Sequence, residues 1–218
     1  EREAAQAEAE LFRAIFSRRT YRKRFEPRAI PEPVLHELSS AANKEGVSLH
    51  VARPKHERSE ISKLISEGDR VQWETPAWRR ELAAWMHPAK KGDGLTLPSL
   101  IAPVFKGVVR TFDMGKSVGA KDKQLAEEAP VLAVIETESD QAIDWLSAGQ
   151  ALERLLLTAC QHGLQASYLN QPIQVPSLRQ RLQEFFGNRR FQQILLRIGF
   201  PSGEVPAVPR RDLADVIF

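Results

Sequence analysis

Residues 139–163, SDQAIDWLSAGQALERLLLTACQHG, decide how the rest of the chain must be arranged. Trp145, Ala148, Leu152, Leu155, Leu156 and Ala159 recur at helical spacing, and Leu146, Leu157 and Cys160 form a second apolar stripe. A helix that is apolar on most of its sides is predicted to be buried. Ser139 and Asp140 can accept hydrogen bonds from its free N-terminal amides, and Gly163 tolerates a left-handed cap at its end. On either side lie uninterrupted or nearly uninterrupted apolar runs: Val131 to Ile135, Ala166 to Leu169, and Ile194 to Ile198. Strands without alternation are covered on both faces. The pattern predicts a sheet with helices on both sides and this helix against its middle, an α/β or α+β layered domain.

Further out, Glu3 to Phe16 reads as an amphipathic helix and Pro31 opens a second one that stops at Gly46. Val47 to Ala52 reads as a strand. Glu57 to Trp73 and Pro76 to Met86 read as two more helices, with Thr75 able to cap the latter. From His87 to Glu128 the periodicity blurs: Lys91 to Gly94 is a turn, Pro98 and Pro103 interrupt an apolar stretch, and Gly115 to Gly119 reads as loose. Such a segment is either a lid or binding loop, or a peripheral helix pair. Val175 to Phe186 reads as a short helix ended by Gly187, and the proline-rich tail PSGEVPAVPRRDLADVIF as an extended strap.

With 218 residues, 42% of them hydrophobic, the chain can fill one substantial core, so residues 1–218 read as a single domain. Cys160 is the only cysteine and lies in the apolar helix, which excludes a disulfide framework and reads as a small buried hydrophobe. No run approaches a membrane span and no signal peptide opens the chain, so a cytoplasmic protein is expected. The chain starts at Glu1 without methionine, as a processed, trimmed or partial sequence would. The net charge of +3 gathers in arginines at 18–24, 189–190 and 210–211, but no recognition motif or aromatic interleaving accompanies them, so nucleic acid is not the expected partner. The five histidines lack ligand spacing, so no metal is expected. No nucleophilic triad or glycine-rich phosphate loop can be drawn. Trp73, Trp78, Trp85 and Trp145 read as core anchors.

One constellation could carry chemistry. Arg18, Arg19, Thr20 and Arg22 sit where the first helix gives out, and Arg210 and Arg211 lie at the far end of the chain. Arginine's planar fork pairs with phosphate oxygens, and a threonine hydroxyl adds a neutral bond. The same residues would serve equally as solvated charge at a helix end.

The segment RRTYRKRFEPRAIPEPVLHELSSAA (residues 18–42) resembles the opening of the nitroreductase superfamily, enzymes that use flavin mononucleotide (FMN). TPAWRRELAAWM, GDGLT, APVLAVIETESD, DWLSAGQALERLLLTACQHGLQASYLNQPIQVPSLRQRL and LLRIGFPSGEVPAVPRRDLADVI resemble its Acg branch, named for NAD(P)H nitroreductases. The resemblance implies an α+β sandwich: a central, mostly antiparallel sheet flanked by helices, with FMN at a dimer or pseudo-dimer interface. It implies that Arg18, Arg19 and Thr20 contact the phosphate and ribityl chain, with Arg22 nearby and Arg210 and Arg211 closing from the strap. It further implies that Tyr168, Leu169, Asn170 and Gln171 hold the ring through backbone N–H groups near its N5. No side chain is then required as acid or base, because the flavin carries the chemistry.

The implied activity is hydride transfer from NAD(P)H through FMN to nitro compounds or quinones. The alternative is a flavin-sequestering protein with FMN under a lid, for which 87–128 is long enough. One departure stands out. The family's Pro-Ser-x-x-Asn-x-Gln-Pro stretch, which binds the pyrimidine edge of the ring, is replaced by AANKEGVSLHVARP (residues 41–54). In the Acg branch two lobes share one polypeptide and the missing stretch belongs to the first, so this chain resembles the second lobe. A homodimer or a pairing with such a lobe is the expected assembly.

Overall fold

The computed structural model describes residues 2–88, 95–98, 100–187, 189–205 and 211–217. Its centre is β4 (Val131–Thr137), buried at every position. Val131, Ala133 and Ile135 point to one layer, where they meet α2 (Glu32–Asn43) and α7 (Ala142–Gln161). Leu132 and Val134 point to the other, toward α3 (Lys55–Glu74) and α9 (Pro176–Phe185). This two-sided burial is why β4 shows no alternation in sequence. The sheet runs in the order β1 (Ser48–Val51), β4, β6 (Phe191–Gly199), β5 (Gln165–Tyr168), and every pairing is antiparallel. The fold is α+β.

α7 departs from the expected full burial. Ala148, Ala151, Leu155, Leu156 and Ala159 are buried against the sheet and α2, but Ile143, Trp145 and Leu146 are each more than half exposed. One sheet face can cover only one side of a helix, and the outward stripe at the N-terminal end of α7 has no cover among the described residues. Its start also differs. The carboxylate of Asp144 accepts from the Gln141 N–H at 2.9 Å, whereas Asp140 is engaged elsewhere. Asp140 accepts both guanidinium nitrogens of Arg179 at 2.9 Å and the indole N–H of Trp145 at 2.7 Å. Hydrogen bonding from Arg179 holds its pKa down from 3.8 to about 2. A carboxylate with a lowered native pKa stabilises the fold above its unfolded value and loses that contribution as pH falls toward the native one. Arg179→Ala should therefore cost roughly 1 kcal/mol in urea unfolding at pH 7, and the difference from wild type should vanish near pH 2.

The blurred segment proves helical over most of its length, as α5 (Ala102–Thr111) and α6 (Gly115–Glu128). Gly115 and Gly119 are not loop signals: a Cβ at Gly115 would stand 2.8 Å from the Trp73 Cβ, and one at Gly119 would stand 2.8 Å from the Ser66 carbonyl oxygen. These glycines let α6 lie close against α3. α4 (Pro76–Ala84) stops before Met86, where β2 (Met86–Pro88) pairs in parallel with β3 (Leu95–Leu97). The Thr75 hydroxyl donates to the Val71 carbonyl at 3.0 Å instead of capping α4. Trp73 is buried and packs edge-on against Trp78, but Trp85 and Trp145 are exposed, contrary to their reading as core anchors. Cys160 is only half-buried. The expected turn at Lys91 to Gly94 lies outside the described residues. Among the described residues no helix is long and apolar enough to cross a membrane.

Candidate functional site

After α1 (Arg2–Ser17) the chain turns along the open edge of β5. Thr20 bridges to Ala166 in parallel, the Tyr21 N–H donates to the Ala166 carbonyl at 2.9 Å, and the Arg19 N–H donates to Gln165 Oε1 at 3.0 Å. Tyr21 and Phe25 are buried beside Ala129 and anchor this run, leaving the intervening side chains on its outer side. The expected arginine cluster is thus carried on a segment held to the edge of β5 by a single bridge.

Its members differ in their freedom. Arg19 turns back, donating to the Arg18 carbonyl at 2.7 Å. Arg18 Nε lies 3.4 Å from a Glu153 carboxylate oxygen, within ion-pair range, yet is buried without a hydrogen-bond partner. Arg22 is exposed. Tyr168, at the end of β5, has its phenol pKa raised by burial, with the charges of Arg18 and Arg22 opposing. Arg211 is exposed, and Arg210 lies outside the described residues.

Four of the expected residues meet in one cavity of about 250 Å³: Thr20 and Arg22 on one wall, Tyr168 and Leu169 with Ser167 on another. Besides Ser167, three further residues not anticipated complete it, Asp122 and Leu125 from α6 and Arg197 from β6. Larger grooves lie elsewhere, among them one of about 490 Å³ beside Trp78 and Trp85 and one of about 510 Å³ between α1 and α7. Neither of these two holds any of the expected residues.

Arg197 is 1% exposed, the largest fully buried side chain. It donates to the carbonyls of Lys23 at 2.9 Å and Tyr21 at 3.3 Å and lies 4.6 Å from the Phe25 ring centroid, but its Nε is unpartnered. Burial lowers its pKa to about 10, against the pull of Asp122. Behind the cavity, Gln171 Nε2 donates to Asp69 Oδ1 at 3.1 Å and Asp122 Oδ2 at 2.9 Å. Burial, then the neighbouring Asp122 charge, raises Asp69 to about 7. Burial likewise raises Asp122, opposed by Gln171, Arg197 and Lys121. Asn170 Oδ1 accepts from the Leu195 N–H at 2.8 Å. Gln171 Nε2 and Asn170 Oδ1 are therefore committed to the fold.

Two of these missed residues leave a trace in the sequence. Arg197 is a charge inside an apolar strand, and Asp69 interrupts the buried stripe Ile61, Leu64, Ile65, Gln72 of α3. A charge on a buried face implies a partner or a ligand.

Comparison with known proteins bears on the same architecture. A protein of Mycobacterium tuberculosis that carries the name "Putative NAD(P)H nitroreductase Rv3131" is 25% identical over 220 residues, covering 97% of this chain and 62% of its own length. The "Uncharacterized protein Rv3127" of the same organism is 26% identical, covering 94% and 60%. The chain thus spans about three-fifths of the curated relatives it matches. The FMN-dependent nitroreductase NfnB from Mycobacterium smegmatis, solved with NADPH, shares the fold at a TM-score of 0.60 and 15% identity, over 97% of this chain and 98% of that one. Iodotyrosine deiodinase bound to FMN and 3-iodo-L-tyrosine does so at 0.63 and 15%, over 93% and 96%. Residues 15–200 match the model described as Nitroreductase family. The chain belongs to the nitroreductase family.

Proposed function

We propose that this chain is an FMN-binding oxidoreductase of the Acg branch that takes hydride from NAD(P)H and delivers reducing equivalents to nitro compounds or quinones. The observation that carries the reading is the gathering of Thr20, Arg22 and Arg197, whose Nε has no acceptor, in one cavity at the end of β5, with Arg18 near enough for its charge to act on Tyr168. A buried donor without an acceptor costs about 1–3 kcal/mol, so these residues fit a group rich in acceptor oxygens. FMN has them at its phosphate and its ring carbonyls, and when bound it supplies a ring that accepts hydride.

The chain's own part is placement. Arg18, Arg19 and Thr20 hold the phosphate and ribityl chain, and Arg22 stands at the mouth of the cavity. The backbone of Tyr168 to Gln171 orients the ring, kept rigid because Asn170 is tied to Leu195 and Gln171 to the two aspartates. Arg210 and Arg211 close on the phosphate from the tail. The outward stripes Phe12 and Phe16 of α1 and Ile143 and Leu146 of α7, all more than half exposed, support a second lobe or a second copy covering this face. A span of three-fifths of the relatives' length supports the reading of this domain as one lobe of a longer protein.

The test is an FMN titration followed by NADPH and NADH without oxygen. A flavin band that bleaches is expected; a bound flavin that resists bleaching would replace the reductase with a flavin-holding protein. Arg18→Ala with Arg19→Ala should weaken FMN binding by roughly 2–4 kcal/mol, because phosphate oxygens lose charged donors. Unchanged affinity would remove the phosphate site from these residues.

A further inference from the structure

The cavity carries a carboxylate, and an anionic phosphate is repelled by a carboxylate. The Asp122 wall is therefore not the phosphate end of the site, and its chemistry selects a ligand edge that offers an N–H. Asp122 shares the cavity with two guanidinium groups, those of Arg22 and Arg197. Gln171 holds its Oδ2 at 2.9 Å, and its Oδ1 makes no hydrogen bond among the described residues. Arg197, almost wholly buried, has an Nε without an acceptor. Two donors and one acceptor in one cavity are the groups that a carbonyl, N–H, carbonyl edge needs. The oxidised flavin ring has one such edge, the imide of its pyrimidine portion, which carries its only N–H at N3.

We propose that Asp122 accepts the N3–H of the flavin ring while Arg22 and Arg197 donate to the flanking carbonyl oxygens. The assignment rests on the FMN reading above and adds to it a residue of α6, Asp122. The charged groups around the carboxylate are Asp69 across Gln171 on α3, Arg197 on β6, Lys121 on α6 and Arg22 beyond α1. Burial raises the pKa of both carboxyls, that of Asp69 to about 7 with the Asp122 charge adding to it.

The test compares FMN with FMN methylated at N3, titrated against the purified chain by flavin fluorescence. The wild type should bind the methylated cofactor at least roughly tenfold more weakly, since the methyl group removes the donor and crowds the carboxylate. Asp122→Ala should bind both within about twofold. Asp122→Asn, close to isosteric and able to accept through Oδ1, should keep part of the discrimination and serves as the variant that preserves the fold. Tight FMN binding with equal affinity for the methylated form in the wild type would overturn the Asp122 assignment and leave the FMN reading intact. Discrimination that survives in Asp122→Ala would also overturn it. No FMN binding at all would overturn both.

Discussion

Gly68→Ala should destabilise the chain by roughly 1–3 kcal/mol, although alanine is the better helix former and the position lies inside α3. A Cβ there would stand 2.6 Å from the Gln171 Cβ, 3.0 Å from its carbonyl carbon and 3.2 Å from its oxygen. Gln171 cannot retreat, because its amide is shared between Asp69 and Asp122 and its neighbour Asn170 is fastened to Leu195. Two backbones therefore meet where only glycine fits. Gly149→Ala in α7 is the internal control: nothing lies within 4 Å of a Cβ there, so the same exchange should stabilise by up to about 1 kcal/mol. Urea unfolding of both variants checks the contrast. If Gly68→Ala proves as stable as Gly149→Ala, the close approach of α3 to the turn after β5 is wrong. FMN affinity should fall with the first and not the second, since displacing Gln171 moves the backbone proposed to hold the ring.

Asp69→Asn should stabilise the chain at alkaline pH and do nothing in acid. In the unfolded chain this carboxyl titrates near 3.8, and in the fold near 7, because it is buried and faces Asp122. Between those values the native state holds a proton that the unfolded state has released, so wild-type stability falls as pH rises from about 4 to 7, and the penalty is complete above that. The amide carries no such penalty. Its gain over wild type should reach roughly 1–3 kcal/mol at pH 8 and shrink toward zero below pH 4. Rotation of the Gln171 amide would also bring its buried, unpartnered Oε1 to the new N–H₂. Denaturant midpoints at pH 4, 6 and 8 measure this, and a pH-independent difference would show that Asp69 is not the titrating group.

The sheet was the most legible part of the sequence, because double-sided burial writes itself as unbroken apolar runs in Val131 to Ile135 and Ile194 to Ile198. The helices with a clear stripe were equally readable. α6 was not, since Gly115 and Gly119 look alike in sequence whether they loosen a loop or admit a neighbouring helix. α7 was overread: apolar residues on all sides fit burial in this chain or burial against a partner, and Ile143 and Leu146 are exposed in this chain. At the candidate site, Thr20, Arg22, Tyr168 and Leu169 come together from both ends of the chain. The aspartates were invisible to motif reading, because what they do depends on Gln171 bringing α3, α6 and the end of β5 to one point.

The bridge between Thr20 and Ala166 also has a kinetic meaning. Arg19 and Gln165 are separated by 146 positions, so this side of the cavity closes only by a very long loop. Contacts of that range form late, after the entropy of closure has been offset elsewhere. During synthesis the arginines emerge early and wait for β5 and then for Arg197 of β6, so the cavity cannot exist on a nascent chain until about nine-tenths of these 218 residues have been made. A cofactor would then enter a nearly finished fold, acting as a latch on it rather than as its template.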